Sequence, residues 1–328
     1  MKGAHQPVGK LPSWLITSSR WILSLAVLGL LLHFFPFATL RTAISNIPPA
    51  RFAIVLILYL CAHGIGVLKW RMVVNAAGAE LDLTTSAQCY FGGLFGTLFL
   101  PSIIGGDVVR LAVGLRKSPR PAAVLAGNLA DRFLDVAAQA GLVFVGLSLL
   151  PGSLPATVSE RAFKYLVLLG LGAFLFGIVL YFIFRATIAR SSWKLRRRII
   201  KLRYALNSVK RRPAALIAGW LAGTLIQFTF LVLTALLAIS CGLRLPLKIW
   251  LFAWPLAKLA AILPLTQGGM GLREAALVAL LAAFGAPGAL VLAAGLVWEG
   301  VIIAGGLVAG GLALVLRHSS ASSHGDNQ

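Results

Sequence analysis

Leu100-Pro101-Ser102-Ile103-Ile104-Gly105-Gly106-Asp107-Val108-Val109-Arg110 is answered later in the chain by Leu263-Pro264-Leu265-Thr266-Gln267-Gly268-Gly269-Met270-Gly271-Leu272-Arg273. Leu, Pro, two glycines and Arg stand at the same offsets in both stretches. Each stretch follows a short apolar segment, and each precedes a long apolar run opened by proline, Pro121 and Pro287. Proline and paired glycines break helices, so both stretches predict an interruption inside otherwise apolar, helix-forming sequence. A duplication explains the match better than coincidence in a Gly- and Leu-rich chain. Read plainly, each cluster is a tight turn between ordinary spans. Read as a pair, they are two re-entrant segments.

The surrounding composition sets the solvent. Of 328 residues, 59% are hydrophobic and only 12% charged, and the mean hydropathy is +0.90. A soluble domain is nearer half apolar and a quarter charged. Such a chain needs a bilayer around it, where only helices and closed barrels satisfy the backbone. The apolar runs are continuous rather than alternating, which selects helices over a barrel. The expected fold is therefore an all-α polytopic membrane protein: an inverted-repeat helical bundle of about six full spans plus two re-entrant hairpins, or eight spans if the hairpins cross. Expected crossings lie at residues 21–37, 52–68, 121–150, 165–184, 214–240 and 287–316. The broken segments are 87–104 and 247–265, the latter followed by a short apolar piece at 272–284. Three crossings separate the two copies, and an odd number turns the second copy upside down, as in many transporter folds.

The formal charge is +21, from 30 Lys and Arg against 9 Asp and Glu. Cytoplasmic loops facing anionic lipid account for this surplus, and there is no compact basic domain to bind nucleic acid. Eleven of the twenty-eight residues from Arg185 to Arg212 are Lys or Arg. By the positive-inside rule this loop faces the cytoplasm, with both termini beside it. The division expected is 1–20 cytoplasmic, 21–184 first membrane repeat, 185–213 basic loop, 214–316 second repeat and 317–328 disordered tail. The location expected is a bacterial inner membrane. Lys69-Trp70-Arg71, Trp250 and Trp254 read as interfacial anchors. Cys61, Cys89 and Cys241 have no metal-ligand or redox spacing and read as small apolar residues. His63, inside an apolar run, reads as a buried polar contact.

Charges within apolar runs carry the functional signal, since each costs about 2.5–3.5 kcal/mol at the centre of a bilayer. Asp131 and Asp135 share a helix face. Asp107, Arg110, Lys258, Arg273, Glu274 and Glu299 complete the set. Arg110 is expected to pair with Asp131 or Asp135, and Arg273 with Glu299. These pairs are either glue between helices or a site in which Arg110 and Arg273 take a lipid phosphate, for which the guanidinium fork is suited. In that reading Gly105, Gly106, Gly268 and Gly269 let backbone N–H groups approach the anion. Asp107, Asp131, Asp135, Glu274 and Glu299 balance the charge or meet a cationic headgroup. No metal site, cofactor motif or nucleotide-binding loop is visible, so transport is expected to be passive or ion-coupled.

At Lys69-Trp70-Arg71, Leu100 through Arg110, Asp131-Arg132-Phe133 and Pro264 through Glu274, the chain resembles the lysylphosphatidylglycerol synthase transmembrane (flippase-like) family. The similarity runs over about residues 52–310, and the ordered pair GGDVVR and GG-x-G-x-RE is its most specific part. The resemblance implies a module that moves a lipid between leaflets. In the best-known members the module is joined to an aminoacyl-transferase domain and the cargo is the aminoacylated lipid. Stand-alone members are associated with other lipids, hopanoids among them. With no transferase domain before Gln328, lipid aminoacylation is not expected here. Many relatives carry Arg in the last long helix where this chain reads Trp298-Glu299. The expected partners are membrane lipids with anionic or zwitterionic headgroups, with a second copy or a soluble synthase also open. Two rival classes stand beside transport: a membrane enzyme using Asp131 and Asp135, and a scaffold recruiting a soluble synthase to the basic loop.

Overall fold

The computed structural model describes residues 37–100, 105–150, 193–261 and 269–325, with Thr266 and scattered positions between 22 and 35. Among these residues every regular element is a helix. The helices are α1 (Phe37–Ser45), α2 (Pro49–Ala76), α3 (Leu83–Gly96), α4 (Gly105–Lys117), α5 (Pro121–Ser148), α6 (Trp193–Lys210), α7 (Pro213–Ser240), α8 (Leu247–Ala260), α9 (Leu272–Ala282) and α10 (Gly288–Gly325). The expected crossing at 165–184 lies outside the described residues, the one at 21–37 is described only in part, and Pro101, Pro264 and Gly268 are also outside them.

Local chemistry sets the helix ends. Pro49, Pro121 and Pro213 occupy first-turn positions, where the missing N–H costs nothing. α2 stops at Gly78, whose φ of 93° lies in the left-handed region, and Ala79 N–H donates back to Val74 O at 3.1 Å. α7 stops the same way: Gly242 has φ 91° and Leu243 N–H donates to Ala238 O at 2.9 Å. Both are glycine C-caps in which the backward bond satisfies an orphan carbonyl. Asp82 opens α3 by accepting from Thr85 N–H at 3.2 Å.

Length separates two kinds of helix. α2 and α7, at 28 residues each, and the Gly288–Arg317 part of α10 are long and apolar enough to cross a bilayer. At 1.5 Å per residue, 28 residues reach about 42 Å. α5 is also 28 residues long but carries Asp131, Arg132 and Asp135 in its first half. α3 and α8 have 14 residues each, about 21 Å and too short for a hydrocarbon core of about 30 Å. α4 and α9 are shorter still. The breaks between α3 and α4 and between α8 and α9 fall at the two Pro-Gly stretches.

Packing pairs the elements across the chain. α2 lies against α7, α3 against α10, and α5 against α8. Within each half, α3 packs on α4 and α4 on α5, as α8 packs on α9 and α9 on α10. The outer faces carry Ile57 and Leu58 on α2, Phe133 and Phe144 on α5, Leu221 and Leu225 on α7, and Leu307 on α10, all exposed. A helix with apolar residues outside and charges inside has lipid for its solvent.

Five readings change. Trp70, Trp250 and Trp254 are core residues rather than interfacial anchors, each at most 1% exposed. Lys69, read with Trp70 as an anchor, is buried in an ion pair. The basic stretch read as a loop is helical over Trp193–Lys210, because Leu202, Ala205, Leu206 and Val209 recur at helical spacing and pack into the core beside Trp70. Residues 41–45, which lie between the first two expected crossings, are helical. α10 runs on to Gly325, beyond the end expected at residue 316.

Trp70 Nε1 donates to Asn128 Oδ1 at 3.0 Å in this core. Trp70→Phe leaves that buried acceptor unpartnered and is expected to cost about 1–3 kcal/mol. Thermal melting in detergent measures it, and adding Asn128→Leu is expected to recover part of the loss.

Candidate functional site

The broken helices and α5 bring their charges to two places. The first joins α2, α4 and α5. Lys69 Nζ lies 2.8 Å from Asp131 Oδ1 and 2.5 Å from Asp135 Oδ1. Asp131 and Asp135 are one turn apart, so a single ammonium reaches both. Arg110 reaches Asp131 at 3.6 Å and Asp107, one turn before it on α4, at 3.8 Å. Arg132 closes the ring, 2.6 Å from Asp107 and 3.6 Å from Asp135. Three cations face three carboxylates, and the formal charges cancel. The Arg110 guanidinium also sits 4.1 Å from the Tyr90 ring centroid and 5.8 Å from that of Trp70, a geometry in which planar cations are held by ring faces.

The second place joins α9 and α10. Arg273 pairs with its neighbour Glu274 and reaches Glu299 at 2.8 Å. Glu274 Oε2 also accepts from Gly271 N–H at 2.8 Å, across the start of α9. This fixes an acidic side chain at a helix N-terminus, where the dipole favours it. One cation faces two carboxylates, so this group carries one net negative charge.

Between them lies an aromatic centre. Tyr59 and His63 on α2, Phe230 on α7 and Trp298 on α10 are in ring contact, with centroids 4.5–5.8 Å apart. His63 Nδ1 is 3.2 Å from the Tyr90 hydroxyl. Lys258 enters from α8. Its Nζ donates to Gln227 Oε1 at 2.8 Å and lies 5.4 Å from the Phe230 centroid and 5.1 Å from that of Trp254.

The expected pairs Arg110–Asp131 and Arg273–Glu299 are both present. Asp107, Asp135 and Glu274 join the same groups. His63 is the buried polar contact expected of it, and Cys89 and Cys241 are buried free thiols. The glycines of the first stretch are closely packed. A β-carbon at Gly106 would stand 2.4 Å from Thr97 Cγ2 and 2.5 Å from Gly93 O, and one at Gly105 2.6 Å from Leu100 Cβ. Protein fills the space beside them, so they let α4 lie against α3. Gly269 and Gly271, with φ of 80° and 81°, turn the chain into α9. Gly268 is outside the described residues.

Sequence reasoning missed the role of Lys69, the cation that gathers both α5 carboxylates. Its neighbours Trp70 and Arg71 make a local pattern identical to an interfacial anchor. It also left Lys258, Tyr59 and Tyr90 unassigned, since contacts across α2, α3, α7 and α8 exist only in the fold. No group of His, Cys, Asp and Glu among the described residues is arranged to hold a metal ion.

No curated protein and no solved structure matches the chain. The family model described as the lysylphosphatidylglycerol synthase TM region matches residues 21–310, which takes in both broken helix pairs and every charged residue named above. A match over most of the length, carried by a helical membrane bundle with these elements, means that the chain belongs to the lysylphosphatidylglycerol synthase TM region family of integral membrane proteins.

Proposed function

We propose that this protein moves an amphipathic lipid, a phospholipid or one of similar build, between the leaflets of a bacterial inner membrane, with the headgroup passing through the interior of the bundle. One observation carries the reading: two buried charge groups, each beside a broken helix pair, flank one aromatic centre inside a bundle whose outer face is apolar. Charge at membrane depth is costly and is retained where it lines a path or a site. Glycine-broken helices are tolerated at that depth only where protein or water covers them. The lipid-related family supports the same reading.

In this proposal the bundle is an inverted repeat, with α2–α5 matched to α7–α10. α2 and α7 have equal lengths, as do α3 and α8. Their starts are 164 residues apart in both cases, from Pro49 to Pro213 and from Leu83 to Leu247. The exchange of packing partners, α3 on α10 and α8 on α5, supports a two-fold relation. Two half-bundles meeting at one site are how such transporters alternate access. The α3–α4 and α8–α9 pairs are then re-entrant hairpins. The basic α6 and both termini lie on the cytoplasmic side.

Asp131 and Asp135 are both held by Lys69, which favours transport over an enzyme using them as acid and base. Arg110 and Arg273, with their carboxylates, form the walls the headgroup passes.

The test is lipid movement in proteoliposomes. NBD-labelled phospholipids in the inner leaflet become accessible to dithionite as they are moved. Wild type is expected to expose them faster than protein-free vesicles, with rates that depend on the headgroup. Rates equal to protein-free vesicles for every headgroup would reject the proposal. Conversion of a lipid in detergent, where no leaflets exist, would favour the enzyme.

A further inference from the structure

Lys258, half-buried, differs from the other cations inside the bundle. Lys69, Arg110, Arg132 and Arg273 each have at least one carboxylate in ion-pair contact. Lys258 has none among the described residues. Among the described residues its one hydrogen-bond partner is the neutral amide of Gln227, and two aromatic faces, Phe230 and Trp254, lie beside it. Among the described residues one of its three N–H bonds has a partner.

Two more polar groups around it lack partners. Trp254, one turn before Lys258 on α8 and 1% exposed, has no hydrogen-bond acceptor for Nε1 among the described residues. His63 packs on the same Phe230 ring, 5.1 Å between centroids, and its Nε2 is likewise buried without a partner. In the tautomer where the Tyr90 hydroxyl donates to Nδ1, one of the two this contact allows, the imidazole proton sits on Nε2. Buried donors are nearly always satisfied, so each of these calls for a partner.

We propose that Lys258, with Trp254 and His63, seats the phosphodiester of a lipid headgroup. The two other N–H bonds of Lys258, the indole N–H and the imidazole N–H supply four donors. Two non-bridging phosphate oxygens sharing one negative charge accept about that number, and charge-assisted bonds of this kind are the strong ones. Arg110 and Arg273 are spent on carboxylates inside the protein, whereas the Lys258 amine has no carboxylate in contact among the described residues. The identity of the ligand as a lipid rests on the transport reading; the anion seat does not.

The test is direct binding to the full chain in a maltoside detergent, which contains no phosphate. Short-chain NBD-phosphatidylglycerol and uncharged NBD-diacylglycerol are titrated against wild type, Lys258→Met, Lys258→Arg and Trp254→Phe. Lys258→Met is expected to weaken the phospholipid by about tenfold or more, with diacylglycerol unchanged. Lys258→Arg is expected to recover most of the affinity, and Trp254→Phe, which keeps the ring and removes its N–H, to lose severalfold. Excess inorganic phosphate is expected to leave the labelled lipid bound. Phospholipid affinity equal to wild type in both Lys258→Met and Trp254→Phe would overturn the seat. Displacement by inorganic phosphate would overturn its assignment to a lipid. Lys258-dependent binding without movement in vesicles would retire transport and keep the seat; movement with Lys258-independent binding would do the reverse.

Discussion

Lys69→Met is expected to be among the most damaging single substitutions in the protein. It removes the ammonium 2.8 Å from Asp131 and 2.5 Å from Asp135, and Asp131 is 2% exposed. Methionine fills the space but leaves two buried carboxylates facing each other. Arg110 and Arg132 reach them only at 3.6 Å. Breaking a buried pair by deleting one partner costs about 3–5 kcal/mol, mostly as the uncompensated charge left behind. The check is thermal unfolding in detergent followed by size-exclusion chromatography. A large drop in midpoint is expected, and combining Lys69→Met with Asp131→Asn and Asp135→Asn is expected to restore much of it. A Lys69→Met midpoint equal to wild type would mean that the three-carboxylate ring does not hold α2 and α5 together.

Gly146→Val carries the second large effect, and its cause is steric. Gly146 lies where α5 meets α8. A β-carbon there would stand 2.4 Å from Phe252 N and 2.6 Å from Leu251 C. These are backbone atoms, so no side chain can rotate away. Small residues are what allow helices in a membrane to approach this closely. Overpacking of this kind costs about 1–3 kcal/mol, and more where backbone must move, so valine is expected to cost about 3 kcal/mol or more. Gly64→Ala is the contrast. Nothing lies within 4 Å of its added carbon, and replacing a helical glycine by alanine is expected to stabilise by about 0.4–1 kcal/mol. The same melting measurement reads both. Similar midpoints for the two variants would contradict the close approach of α5 and α8.

What the sequence made legible follows a physical rule. Pairs such as Arg273–Glu299 and Arg110–Asp131 were readable because an isolated charge in an apolar run needs an opposite one and few were on offer. The breaks before α4 and α9 were readable because proline and glycine act on their own backbone. Lys69 was not, because its partners are on another helix and its neighbours Trp70 and Arg71 imitate an interfacial anchor. Trp250 and Trp254 failed for the same reason: tryptophan suits both an interface and a core, and only packing decides. In α6 the density of Lys and Arg concealed the apolar face of Leu202, Ala205 and Val209. Gly105 and Gly106 were read as room for an anion; what the fold adds is their close packing against Leu100, Thr97 and Gly93, which no local pattern announces.

The central claim, that a lipid headgroup passes through the interior of the bundle, is tested most directly by asking what the headgroup touches. A phospholipid with a photoreactive diazirine in its headgroup is incorporated into proteoliposomes and irradiated, and the adducts are mapped by mass spectrometry. Interior passage predicts adducts on Tyr90, Trp254, Trp298 and the chain around Gly271, which face the charged and aromatic centre. Adducts confined to the bilayer-facing Ile57, Phe144 and Leu221 and to the helix ends would contradict it and leave the buried charges as the means by which the helices hold together.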